Sequence, residues 1–227
     1  MTTDVRNIGV SGSGEICSTV VQIPLNLVGV NVRESQGYEL FHQYLKLRQD
    51  VFTVQKKWRV WLSAQNDLDQ YDQHDTCYVL AYERKTMNVV GGARLLRTDR
   101  GGQHPLPGRF TYMIRDAQRG LLDGLPSELC DNVPVCCADT WELTRLVTNG
   151  SIGVGKEVLR ASNTFLASRN AKRCMFLGPP AFMKMARSMG YNPVPMGKIA
   201  GNRDGRFVVF STEVIAEDGD YPAQLTA

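Results

Sequence analysis

Six residues of the 227-residue chain combine charge with apolar surroundings in a way that could support chemistry: Arg48, Asp69, Asp72, Arg94, Glu142 and Arg145. Arg94 sits in the run Ala93-Arg94-Leu95-Leu96, and Glu142 and Arg145 in Trp141-Glu142-Leu143-Thr144-Arg145-Leu146-Val147. Charges in apolar runs are costly to bury unless each finds a partner. Either such strands lie at an edge with their charges solvated, or they floor a polar pocket. Arginines and a glutamate on neighbouring strands, with two aspartates on a loop, can close on themselves as a structural ion-pair network. They can also receive a zwitterion, with its ammonium facing aspartate and its carboxylate facing arginine. Phe52 and Trp58 could stack on a base or face a cation, or be ordinary core.

Other chemistries find less support. Gly150-Ser151-Ile152-Gly153-Val154-Gly155-Lys156 nearly fits a phosphate-binding loop, but Glu157 stands where a hydroxyl is needed for Mg²⁺. What survives there is a glycine-rich turn whose backbone amides could hold one anionic group. His42, His74 and His104 show no ligand spacing, so no metal site is expected. The six cysteines include no C-x-x-C pair and fit reduced thiols in a cytoplasmic protein. No Ser-His-Asp or Cys-His arrangement can be placed, which disfavours covalent catalysis. A net charge of +3 without a long basic run argues against a nucleic-acid binder. No apolar run approaches the span of a bilayer, and no membrane association is expected.

The elements that must carry these residues follow from periodicity. Residues 1–34 read as a tail that can lay one edge strand on the domain, from one of two short β-branched runs, Thr19-Val20-Val21-Gln22-Ile23 and Leu27 to Val32, divided by Pro24. From Gln36 to Phe52, apolar residues recur at helical spacing, with Arg48 bordering the buried stripe. An aperiodic segment, Val54 to Asp75, holds Trp58, Trp61 and both aspartates. Thr76–Glu83 and Val89–Arg97 read as an antiparallel hairpin with a bulge at Gly91-Gly92. Tyr112–Ala117 reads as a short helix and Asp139–Val147 as a strand. Strict alternation in that strand puts Glu142, Thr144 and Leu146 on one face, and Trp141, Leu143, Arg145 and Val147 on the other. A helix over Val154–Ser168, a buried strand Cys174–Leu177, a helix Pro180–Met189 closed by Gly190, and a strand Arg206–Ser211 complete the order. That order is a single α/β (α+β) domain over 35–216: a mixed, largely antiparallel sheet flanked by helices, followed by a tail over 217–227.

Several of these motifs together carry a resemblance. Leu47-Arg48-Gln49-Asp50-Val51-Phe52, Trp58, Asp69-Gln70-Tyr71-Asp72, Gly92-Ala93-Arg94-Leu95-Leu96 and Trp141-Glu142-Leu143-Thr144-Arg145 resemble, in order and spacing, the acyl-homoserine-lactone synthases of the LuxI type. The likeness runs from about Glu39 to Tyr191 and implies an acetyltransferase-like (GNAT) fold. It implies two substrates: S-adenosylmethionine and an acyl group carried as a thioester on acyl carrier protein or coenzyme A. Adenosylmethionine is consumed as substrate, so no cofactor is expected. The methionyl amine is acylated; its carboxylate then attacks its own γ-carbon and expels 5′-methylthioadenosine.

By position, the resemblance places Arg48, Phe52 and Trp58 at the adenosylmethionine end, with Asp69, Asp72 and Arg145 completing that site. Glu142 would assist deprotonation of the amine and Thr144 would hydrogen-bond the acyl carbonyl, with Arg94 and Asp69 in the catalytic cluster. Arg145, on the opposite strand face, would brace Asp69 or Asp72 from behind. Met175, Phe176 and Leu177 would line the acyl chain. Phe176 falls where many members place a small or hydroxylated residue, which points to an unsubstituted, hydroxylated or otherwise unusual acyl group. The cations Arg169, Lys172, Arg173, Lys184 and Arg187 could steer an acidic carrier or the phosphates of coenzyme A, or be an ordinary solvated face. Departures from the family pattern are the longer N-terminal stretch, Arg97 in place of a common proline, and an aromatic for which Phe110 and Tyr112 are candidates.

Overall fold

The structure is a computed structural model that describes residues 8–10, 15–22, 36–55, 68–73, 76–100, 110–122, 125–202 and 205–216. Its strands are β1 (Ile8–Val10), β2 (Ile16–Gln22), β3 (Cys77–Glu83), β4 (Val89–Arg97), β5 (Thr140–Thr148), β6 (Arg173–Gly178), β7 (Val194–Pro195), β8 (Ala200–Asn202) and β9 (Gly205–Glu213). The helices are α1 (Gln36–Arg48), α2 (Met113–Gln118), α3 (Val154–Ser168) and α4 (Ala181–Ser188). The sheet order is β1-β2-β3-β4-β5-β6-β9-β7, with β8 paired to β9. Every pairing is antiparallel except β5 with β6. This is the mixed, largely antiparallel sheet with flanking helices that the order of elements predicts.

Alternation along the strands sorts side chains onto two faces. One face carries Val79, Leu95, Leu143 and Phe176 against α3 and α4, where Val158 and Phe165 lie inward. The other face is shared. Tyr78 and Leu80 meet Phe41 and Tyr44 of α1, while Leu96, Met175 and Val209 meet Tyr112 and Ile114 beside α2. β2 adds a strand alongside β3, and the Ser18 hydroxyl donates to Glu157 of α3 at 2.7 Å. The run Leu27–Val32 lies outside the described residues.

Two local features depart from the periodicity. The helix expected through Phe52 keeps α-helical pitch only to Arg48, and Gln49–Gln55 forms a π-helix. The β-branched residues Val51, Thr53 and Val54 fall in this segment and fit an α-helical turn poorly. The wider turn ends the 3.6-residue spacing that places Arg48. The bulge expected at Gly91-Gly92 resolves into two irregularities flanking the pair. One is between β4 and β3 near Val90, and the other is on β5. The glycines themselves serve close approach: a Cβ at Gly92 would stand 2.8 Å from the Tyr44 ring and from the Val79 carbonyl oxygen.

Candidate active site

The second irregularity builds the site. Between the pairs Gly92↔Val147 and Arg94↔Thr144, β4 spends one residue, Ala93, where β5 spends two, Arg145 and Leu146. Arg145 takes the extra step with φ 54°, in the left-handed region. The Tyr44 hydroxyl donates to the Arg145 carbonyl at 2.9 Å, holding the bulge to α1. Strict alternation therefore fails along β5. Leu146 packs with Leu143 on the α3 face, while Val147 joins the α1 cluster. Arg145 turns to the same side as Thr144 instead of the opposite one, which corrects the expectation that it braces the site from behind.

Its guanidinium meets Asp69 from Nη2 at 2.6 Å and from Nε at 3.1 Å, and lies over the Phe52 ring at 5.0 Å. Arg94, opposite Thr144, reaches Asp69 at 2.5 Å and Asp72 at 3.2 Å. Its Nε donates to Thr144 Oγ1 at 3.3 Å. Arg48 grips Asp72 with two bonds, at 2.9 and 3.0 Å, and lies 4.0 Å from Asp69. The Tyr78 hydroxyl adds a bond to Asp72 at 2.9 Å. The backbone amide of Asp69 donates to Asp72, and that of Tyr71 to Asp69, which shapes the loop locally. Arg48 and Arg94 have no exposed side-chain surface, and Arg145 keeps only 7%.

Such burial is tolerable because every carboxylate oxygen of the two aspartates meets a guanidinium. Burial alone would raise both carboxyls, but the arginines outweigh it. Arg94, Arg145 and Arg48 hold Asp69 well below its ordinary range, and Arg48 and Arg94 do the same for Asp72. Three guanidiniums face two carboxylates, and Arg94 Nη2 has no hydrogen-bond partner among the described residues. Among the described residues the arrangement carries excess positive charge, beside Arg94.

Glu142 lies further along the same face but outside this ionic set. Its carboxylate accepts the Ile114 amide at 2.6 Å and the Met113 amide at 3.2 Å, closing the start of α2. Burial pushes the Glu142 carboxyl up to about 7, although the two amides and Arg94 pull the other way. A buried carboxyl near neutrality suits proton transfer. Trp58 lies outside the described residues.

Behind the sheet, between α3, α4 and β6, is a small cavity of about 20 Å³ that opens to solvent. Leu159, Leu166, Phe176, Ala186, Tyr191 and Thr212 are among its walls. Ser162 and Asn163 also line it, but Ser162 bonds the Val158 carbonyl and Asn163 bonds the backbone of Ile215. Phe176 stacks on Phe210 with centroids 4.8 Å apart. Met175 and Leu177 lie on the opposite face, with the α2 cluster, so the three residues do not share one wall. β5 and β6 pair only from Thr140↔Arg173 to Leu143↔Phe176, although β5 continues to Thr148. Beyond Leu143 the two strands part, with the cavity on one face of the sheet and the ionic cluster on the other.

Arg169, Lys172, Arg173, Lys184 and Arg187 are all exposed; Lys172 approaches Asp139 at 3.6 Å and Arg169 lies against Phe165. The near-match to a phosphate loop becomes the turn before α3. There Glu157 stands in the first helical turn, and its bonds go to Ser18 and Arg160. That carboxylate opposes an anion at the helix start. Sequence reasoning missed Tyr71, Tyr78 and Asp116, whose hydroxyl and carboxyl contacts complete the surroundings. Tyr71 is flanked by both aspartates, a signal that its phenol sits beside charge.

Among the described residues, no helix is long and apolar enough to cross a membrane. The autoinducer synthase family model matches residues 31–151, which contain the whole ionic cluster and Glu142. An acyl-homoserine-lactone synthase of Acinetobacter nosocomialis is 27% identical over 177 residues, covering 73% of this chain and 86% of that protein. The crystal structure of TofI in a ternary complex with an inhibitor and MTA matches with TM-score 0.63 and 21% identity, covering 87% of this chain and 91% of that one. BjaI, a CoA-dependent acyl-homoserine lactone synthase solved with SAM and isopentyl-CoA, matches with TM-score 0.61 and 18% identity, covering 78% of this chain and 77% of that one. The solved structures share the fold, and the family match takes in every charged residue of the cluster. The chain belongs to the autoinducer synthase family, the acyl-homoserine-lactone synthases.

Proposed function

We propose that the ionic cluster receives S-adenosylmethionine and that its amine meets an acyl thioester where β5 and β6 part. The observation that carries this reading is the excess positive charge around Arg94, on the same sheet face as a carboxyl poised near pH 7. The substrate carboxylate neutralises that charge beside Arg94 and Arg145. Phe52, already under a guanidinium, offers its ring to the sulfonium or adenine end. Glu142 takes the proton from the attacking amine, whose reference pKa near 8 leaves a neutral fraction at pH 7. The amine lone pair attacks the thioester carbonyl, with Thr144 beside the developing oxyanion, and the thiolate leaves. The carboxylate oxygen then attacks the γ-carbon, and the C–S electron pair departs on sulfur as 5′-methylthioadenosine. Closure needs alignment more than further groups.

The acyl chain runs into the cavity behind the sheet, where Phe176 forms part of the wall and offers no hydrogen bond to a 3-oxo group. An unsubstituted or hydroxylated acyl chain fits better. The donor is acyl carrier protein, steered by Arg169, Lys172, Arg173, Lys184 and Arg187, with coenzyme A as the alternative carrier. The working site is the cytoplasm, where both substrates are made. Incubation with adenosylmethionine and a panel of acyl thioesters tests the reading. Methylthioadenosine released with acylated lactone supports it; acylated amine without that release would mean a plain N-acyltransferase. Preference for a 3-oxo donor over its unsubstituted analogue would overturn the role given to Phe176.

A further inference from the structure

One buried carboxylate beside the site does more than its local structure requires. Asp116 lies in α2 with no exposed surface. Its oxygens accept the Thr111 amide at 2.7 Å and the Thr111 hydroxyl at 2.7 Å, which already fastens the chain leading into α2. Arg119 adds a bond at 3.2 Å. A fourth donor comes from elsewhere in the chain: the Tyr71 hydroxyl, at 3.0 Å. Helix capping explains the Thr111 bonds and leaves the tyrosine unexplained.

Tyr71 is held at three points. Its hydroxyl is on Asp116, its ring lies 5.5 Å from the Arg94 guanidinium carbon, and its amide donates to Asp69 Oδ1 at 2.9 Å. Asp69 in turn bridges Arg94 and Arg145. Among the described residues, the phenol thus supplies the one side-chain hydrogen bond that ties the Asp69–Asp72 turn to the α2 side, where Glu142 also closes the helix start.

We infer that Asp116 is a positioning residue for the adenosylmethionine site, acting through the Tyr71 hydroxyl on Asp69 and so on Arg94 and Arg145. The inference rests on the reading that this cluster receives adenosylmethionine. A hydrogen bond to a buried carboxylate is among the stronger ones in a protein. Its loss loosens the turn that aims Asp69, and the effect falls on the substrate held by the cluster rather than on the acyl donor.

The test compares Tyr71→Phe, Asp116→Asn, the double variant and Thr111→Val as a capping control. Tyr71→Phe should raise KM for adenosylmethionine by about tenfold, leaving KM for the acyl donor unchanged. Asp116→Asn should raise it similarly and add nothing in the Tyr71→Phe background. Thr111→Val should lower Tm without moving either KM. Amide exchange at Asp69 and Tyr71 reads the same effect without turnover and should quicken in Tyr71→Phe. Wild-type KM and exchange in Tyr71→Phe would overturn the inference, as would Thr111→Val raising KM equally. A wild-type enzyme that releases no methylthioadenosine refutes the reading of the site instead, and faster exchange in Tyr71→Phe would still show the tether.

Discussion

Replacing Glu142 with glutamine tests the chemistry most directly, because the side chain is buried and its titration lies in the working range. In the native protein, burial raises the carboxyl to about 7 from 4.5. The folded protein therefore keeps a proton that the unfolded chain releases between these values. Stability falls as pH rises through that window and is level above it. A shift of this size corresponds to about 3 kcal/mol. Glutamine stays neutral, so the variant should lose this slope. Its amide nitrogen must face the Met113 or Ile114 amide, which costs about one hydrogen bond, or ~1 kcal/mol. The catalytic expectation has its own signature. General-base assistance contributes about 10²–10⁴ in rate. The substrate amine is about one tenth neutral at pH 7 and mostly neutral at pH 9. The deficit of Glu142→Gln should therefore shrink by about tenfold between these values, while wild-type kcat/KM rises through pH 7. Initial rates of methylthioadenosine release from pH 6 to 9.5, beside urea melts at each pH, measure both. A deficit that stays constant to pH 9 in a folded variant would refute the base assignment, and wild-type rates would remove Glu142 from the chemistry altogether.

Three further outcomes follow from packing and charge. Phe176→Ala should open the cavity behind the sheet and shift preference toward bulkier or 3-oxo acyl groups in a donor panel. Its stability cost in denaturant melts should be about 3–5 kcal/mol. Gly92→Ala should destabilise by about 1–3 kcal/mol in the same melts, since its Cβ would stand 2.8 Å from the Tyr44 ring and from a backbone carbonyl. Charge reversal at Lys184 and Arg187, both exposed on α4, should raise KM for a carrier-bound donor while leaving that for the coenzyme A thioester within twofold; equal shifts for both donors would count against the patch.

Much of the fold was legible because its long elements obey a simple period. The apolar spacing from Val154 to Ser168 gives α3 with the observed bounds, and β3 and β4 match the expected hairpin closely. Arg48, Asp69, Asp72 and Arg94 stood out as charges in or beside apolar runs, and they do converge. What could not be read is where the period breaks. The π-helix after Arg48 and the extra residue in β5 each change which way the following side chains point. The separation of Glu142 from the ionic set depends on α2 arriving from another part of the chain. So does the link from Tyr71 to Asp116, whose partners are 45 positions apart. Alternation through Met175, Phe176 and Leu177 was available from the sequence and already placed them on different faces.

The left-handed step at Arg145 also changes how densely one strand can present polar groups. Same-side neighbours on a regular strand are about 6.7 Å apart along the chain. Here Thr144 and Arg145, successive residues with Cα atoms about 3.8 Å apart, both serve one side. A hydroxyl and a guanidinium are thereby packed into half the length that pleating allows, and no change of side chain on a regular strand could do the same. The Tyr44 hydroxyl bonded to the Arg145 carbonyl makes this crowding a property of α1 as well as of β5, so a displacement of that helix reaches the site through the backbone.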